Sequence, residues 1–272
     1  MTHATRISAT LVIFSVLGIA SVASANHAWG NYHWARTTPT FTIKLGDNVS
    51  STWDSYLALA SADWTLSSIL DTQIVAGAAK RNCGPIAGRV EVCANRYGNN
   101  GWLGIASIWA SGDHITQGTV KMNDTYFNTA TYNKPSWRQM VLCQEVGHTF
   151  GLGHQDENFY NLNLGTCMDY TNDPARNDGA GNNLHPNTHD YTELENIYAH
   201  LDTTTTIAQS TAAQKGRAAL EEQSGDDPTT WGKEISRSMD GHTSLFEKDF
   251  GGGQKKFTHV FWAEPRKGNL QD

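Results

Sequence analysis

An α+β fold is the class this sequence predicts, and three observations predict it. A helix-periodic stretch lies near residue 51, strand-like runs fill residues 73–123, and two helical segments follow late in the chain. The alternation of Phe41, Ile43 and Leu45 predicts a first strand. Trp53, Tyr56, Leu57, Ala60 and Trp64 recur at three- and four-residue spacing, which predicts a helix over 51–70, with Ser51 and Asp54 as its capping pair. Strands are expected at 73–78, 89–94, 102–109 and 115–123. Pro135 opens the next helix, which must stop near Gly151. After a loop rich in Asn, Asp and Gly over 171–187, Asp190 with Glu193 is expected to cap a final helix over 191–201.

Beyond Asp202 the composition changes. Residues 203–229 are polar and poor in large apolar side chains, so they read as a linker. Residues 230–272 recover alternation: EISRSM, the turn Asp240-Gly241, HTSLFEKDF, a glycine run and KKFTHVFW read as a small β-meander. Three short strands bury little by themselves, so this extension is expected to dock on the main domain or to be loosely held.

The chain has 272 residues and a formal net charge of -7, with no basic stripe that would serve nucleic acid. Arg6 precedes the apolar run LVIFSVLGIASVA, which ends in Ala23-Ser24-Ala25. That pattern predicts a secretory signal over 1–25, cleaved after Ala25, and an extracellular, secreted protein. The run is shorter than the ~20 residues needed to span a bilayer, and no other membrane segment is expected. The mature protein is expected to be a monomer. Cys83, Cys93, Cys143 and Cys167 are an even set suited to two disulfides. Sequence alone allows three pairings. The turn between Cys83 and Cys93 makes a local bridge the natural one, leaving Cys143 with Cys167.

The stretch VLCQEVGHTFGLGHQDE, residues 141–157, carries the chemistry. Positions 144 and 148 sit one turn apart on a helix, so both side chains reach one metal ion, with Glu145 beside them as a general base. Gly151 permits a sharp exit that returns His154 to the same ion. QEVGHTFGLGH resembles the H-E-x-x-H-x-x-G-x-x-H signature of the metzincin zinc metalloproteases, the matrixins most of all. Ten of eleven positions fit, and the departure is Gln144 at the first ligand. Met168 stands where metzincins place their methionine turn, and Tyr170 where some of them place a tyrosine near the zinc.

The resemblance covers residues 26–202. It implies a mixed, mostly parallel twisted sheet with a long helix, an active-site helix and a C-terminal helix. It also implies zinc held by His148, His154 and Gln144, Glu145 as general base, Tyr170 at the oxyanion, and Gly151 and Met168 in structural roles. The substrate would be a protein or peptide, paired as an added strand beside an edge within 115–123. A Cys143–Cys167 bridge would then tie the residue before Gln144 to the residue before Met168. A weaker donor at position 144 also suits a second reading, a module that binds peptide or zinc without cleaving. His185 and His189 are alternative sources of a third ligand. Asp156 and Glu157, with Asp169 or Asp173, offer oxygens for calcium, although solvated loop carboxylates account for them as well.

Overall fold

The computed structural model describes Met1 and residues 27–78, 83–208 and 226–266. The signal segment and residues 209–225 of the linker lie outside the described residues. The fold is α+β, built on one mixed sheet of nine strands. In chain order these are β1 (His33–Trp34), β2 (Phe41–Asn48), β3 (Leu70–Ala76), β4 (Val90–Asn95), β5 (Trp102–Ser111), β6 (His114–Asn123), β7 (Lys233–Arg237), β8 (Thr243–Gly251) and β9 (Gln254–Trp262). The helices are α1 (Asp54–Trp64), α2 (Asp124–Phe127), α3 (Pro135–His148) and α4 (Thr188–Ile197).

The strand order is β3-β2-β4-β6-β5-β9-β8-β7, with β1 pairing β6 off that path. Pairs among β1, β2, β3, β4 and β6 are parallel, whereas every pair involving β5, β7, β8 or β9 is antiparallel. The expected mostly parallel sheet is therefore only half of the observed one. The other half is the β5–β6 hairpin continued by the C-terminal meander, which docks edge to edge instead of standing apart.

Two helices differ from expectation. The first ends at Trp64, not near residue 70, because the hydroxyls that follow hold the backbone themselves. Thr65 Oγ1 accepts Thr72 N–H at 2.9 Å, and Leu70 is needed opposite Phe41 in β3. Its start carries no side-chain cap; the Trp53 indole instead donates to Asp124 Oδ1 at 2.9 Å. The last helix begins earlier than expected, at Thr188. Asn187 is its cap, and Asp190 is the reciprocal member of the capping box, accepting Asn187 N–H at 2.7 Å.

The β9 strand decides where the extension sits. Phe257 and Phe261 point into the main core with α1 and α3, and Val260 and Trp262 join Trp102, Ile105, Trp231 and Phe246 on the opposite face. Lys256 shares that outer face, buried over the Trp109 ring at 5.0 Å. Burial first, then Lys121 of β6 and Lys248 of β8, push its pKa down to about 7, against the partial relief of Asp226.

Between about pH 7 and 10 the unfolded amine holds a proton that the folded amine does not, so stability should rise with pH across this window. The slope should approach 1.4 kcal/mol per pH unit at most, as an order of magnitude. Urea unfolding from pH 6.5 to 9.5 checks this, and Lys256→Met should flatten the slope.

Candidate metal centre

The last turns of α3 carry Gln144, Glu145 and His148, all of them buried. The helix stops at His148, and Gly151 takes φ +99°, where a Cβ would collide with the Tyr32 carbonyl. Leu152 then forms a bridge with Ala28, and the chain turns so that the His154 ring lies 4.5 Å from that of His148, nearly perpendicular to it. Gly151→Ala combines left-handed strain with a backbone clash and should cost about 2–4 kcal/mol by denaturant unfolding. It should also weaken metal binding by displacing His154.

The third imidazole comes from β9. His259 stacks on His148 with centroids 4.0 Å apart and planes 5° from parallel, and its ring centroid is 5.6 Å from that of His154. One ring nitrogen from each of His148, His154 and His259 falls within 4.8 Å of the others. The triad could therefore bind a metal ion, and hydrogen bonds orient two of its three rings. His148 Nδ1 donates to the Leu152 carbonyl at 2.8 Å, and His154 Nδ1 lies 3.0 Å from Glu157 Oε1, which leaves each Nε2 as the free donor. His154 Nε2 and both nitrogens of His259 are buried without a partner. Burial, reinforced by the neighbouring rings, pushes the His148 and His259 pKa values well below the usual histidine range, so both are neutral as ligands must be. Partnerless imidazole nitrogens are the donor type that a borderline divalent ion takes.

Glu145 points toward β5. A Cβ on Gly104 would lie 2.8 Å from Glu145 Oε1 and 2.6 Å from Val141 Cγ1, so glycine is what lets the strand approach α3. Its carboxyl is fully buried with Oε2 unpartnered, and burial raises its pKa well above the usual range. Gln144 donates its amide to the Cys167 carbonyl at 2.9 Å, and its Oε1 has no partner. The disulfides are Cys83–Cys93 and Cys143–Cys167, and the second joins α3 to the segment bearing Met168. Met168 Sδ lies against Gly147 on the flank of α3. Tyr170 is buried edge-on to His154, stacked on Phe261 of β9, and its hydroxyl shares a side-chain hydrogen bond with Thr243 of β8.

Three sequence expectations are corrected here. His185 and His189 do not join the triad: His185 pairs with Asp63 at 2.8 Å, and His189 stacks on His27. The strand over 115–123 is not an edge, since β6 is paired on both sides. The strand that would have been the edge, β5, is covered along its length by β9. The suggested calcium carboxylates do not converge: among the described residues only two groups have metal-ligand spacing, the triad and one built on His33, His200 and Asp202. Instead Asp156, Asp169 and Asp173 accept hydrogen bonds from loop backbone amides.

Sequence reasoning missed His259. The signal for it is its position two residues from Phe257 and two from Phe261, on the inward face of an alternating strand.

A cavity of about 130 Å³ reaches the triad between the 153–157 loop and the extension, lined by Trp29, His154, Glu157, Arg237, Leu245 and His259 among others. Among the described residues, no helix is long and apolar enough to cross a membrane. No protein-family model matches the sequence, and no curated protein matches it. Among solved structures the chain is similar to myroilysin, at 11% identity and a TM-score of 0.32, over 66% of this chain and 97% of that one; the likeness is too slight to bear on function.

Proposed function

We propose that this chain is a secreted zinc-dependent peptidase of metzincin type, kept closed by its own C-terminal strand. The observation that carries the reading is Glu145: a buried carboxyl with Oε2 unpartnered, set on the same helix turns as His148 and facing β5, the strand paired with the one that bears His259. His148, His154 and His259 would hold the ion, and Gln144 Oε1, likewise without a hydrogen-bond partner, would serve when His259 withdraws. Bound there, zinc supplies Lewis acidity toward the scissile carbonyl and acidifies water.

Glu145 accepts the proton of the attacking water and delivers it to the leaving amine. The positive charge of the ion opposes the desolvation that otherwise keeps this carboxyl protonated. A peptide would lie along β5 by backbone hydrogen bonds, in the place β9 now takes. Tyr170, once released from Thr243 and Phe261, would reach the oxyanion. The cavity of about 130 Å³ is too small for an extended peptide, so cleavage requires the extension to move.

That same covering supports a second reading, a zinc-binding module without catalysis. The two separate when a specific cleavage sequence is placed within 209–225 and cut, with Trp231→Ala as a milder way to loosen the extension. Zinc-loaded protein whose fold is verified by near-UV circular dichroism is then given a peptide mixture. The peptidase reading expects new termini after release and none with Glu145→Gln. A folded, zinc-loaded, released protein that leaves every peptide intact would establish the module instead.

A further inference from the structure

A second constellation lies away from the triad, where the N-terminal arm, the β5–β6 turn and the chain leaving α4 meet. His33 Nε2 and His200 Nε2 are 3.2 Å apart, and Asp202 Oδ1 lies 3.5 Å from the first and 3.6 Å from the second. Donors held about 2.0–2.1 Å from one tetrahedral ion are separated by roughly 3.3–3.4 Å, so this triangle has the size of one face of such a site.

The surrounding bonds aim the donors at its centre. His33 Nδ1 donates to the Asn31 carbonyl at 2.7 Å, which leaves Nε2 carrying a lone pair. Asp202 Oδ2 is occupied by Arg36 N–H at 2.9 Å, which turns Oδ1 inward. His114 Nε2 contacts that Oδ1 at 3.1 Å and steadies the carboxylate from the side. His33 is buried, Asp202 is partly buried and His200 is exposed. The fourth position thus opens toward solvent, into a pocket that Asn31, Asp113 and Asn196 help to line.

We propose that His33, His200 and Asp202 form a second site for a divalent transition ion of the zinc class, with His114 as a positioning residue for Asp202. The ion ties the start of the chain to the segment that follows α4. Its effect reaches the first centre through the arm: Trp29 N–H donates to the Gly151 carbonyl at 3.1 Å, and the Trp29 ring meets His259 edge-on at 4.0 Å. The second site is a staple for that arm and shares no ligand with the triad.

Zinc is the probe, and bound metal is counted by elemental analysis after equilibrium dialysis of the mature chain. Two equivalents are expected in the native protein, one in His200→Ala, one in His148→Ala/His154→Ala, and none when the three substitutions are combined. His200 is exposed, so its removal spares the fold, and Asp202→Asn gives an independent loss at the same site. One equivalent that survives His148→Ala/His154→Ala but not His200→Ala would support this site and sink the triad instead. A zinc count that neither His200→Ala nor Asp202→Asn lowers in any background overturns the proposal and leaves a proton shared between His33 and His200.

Discussion

His259→Ala should weaken zinc binding at the triad by roughly a hundredfold, the upper end of what removing a mere supporting partner of a ligand costs. The zinc-free protein should lose only the packing of the ring on His148 and Trp29, because both ring nitrogens of His259 are buried without partners and their removal abandons no hydrogen bond. The two effects give a distinctive pair of readouts. In a His200→Ala background, so that only the triad is read, zinc should raise the melting temperature of the parent and leave that of the variant almost unchanged. Adding Gln144→His to His259→Ala should return the affinity, since it restores an imidazole one turn before His148 on the same helix face. Undiminished affinity in His259→Ala would remove β9 from the metal centre. A failure of Gln144→His to rescue would mean that position 144 cannot reach the ion.

Replacing both Cys143 and Cys167 with alanine should cost about 3 kcal/mol, the chain-entropy value for a loop of this size. The bridge spans 24 residues and closes the loop from α3 through His154 to Cys167, the residue before Met168. It should also loosen the centre, because Gln144 donates to the carbonyl of Cys167 and Met168 packs against α3. Urea unfolding with and without zinc separates the two contributions, and the zinc-dependent part should fall along with the zinc-free part. The Cys83–Cys93 bridge closes only 10 residues, so its removal should cost somewhat less. Equal stability and equal zinc affinity in the Cys143/Cys167 variant would show that α3 and the Met168 segment are held by packing alone.

Much of this structure was legible in the sequence because it is local. Four strands of the parallel half (β2, β3, β4 and β6), the opening of α3 at Pro135 and its end before Gly151 follow from periodicity and from the two residues that punctuate it; the short β1 does not. The approach of His148 to His154 was legible for the same reason, since helix geometry and one glycine turn bring the two rings together. His259 was not, because it reaches the site through strand pairing across more than a hundred residues, and a single sequence holds no record of which edge a strand will choose. The covering of β5 escaped for that reason too. The helix ends shifted where short polar side chains, Thr65 and Asn187, took over backbone hydrogen bonds that periodicity does not register. His33 lies far along the chain from His200 and Asp202, and their meeting depends on long-range contacts such as the Asp202 N–H donating to the Arg36 carbonyl at 2.8 Å.

The pairing of Ala106 with His259 makes the metal centre a check on alignment. Side chains alternate along a strand, so sliding β9 by one residue would present Thr258 or Val260 to the triad and turn the imidazole to the far face. Sliding it by two would offer Phe257 or Phe261. Every misaligned form of the closing strand is therefore short of an imidazole, and a bound ion would add its binding energy to a single register. In a strand whose inward face is aromatic on both sides of one histidine, apolar contact alone discriminates poorly between neighbouring alignments. A bound ion would supply the missing selectivity and so tie the alignment of the closing strand to metal loading.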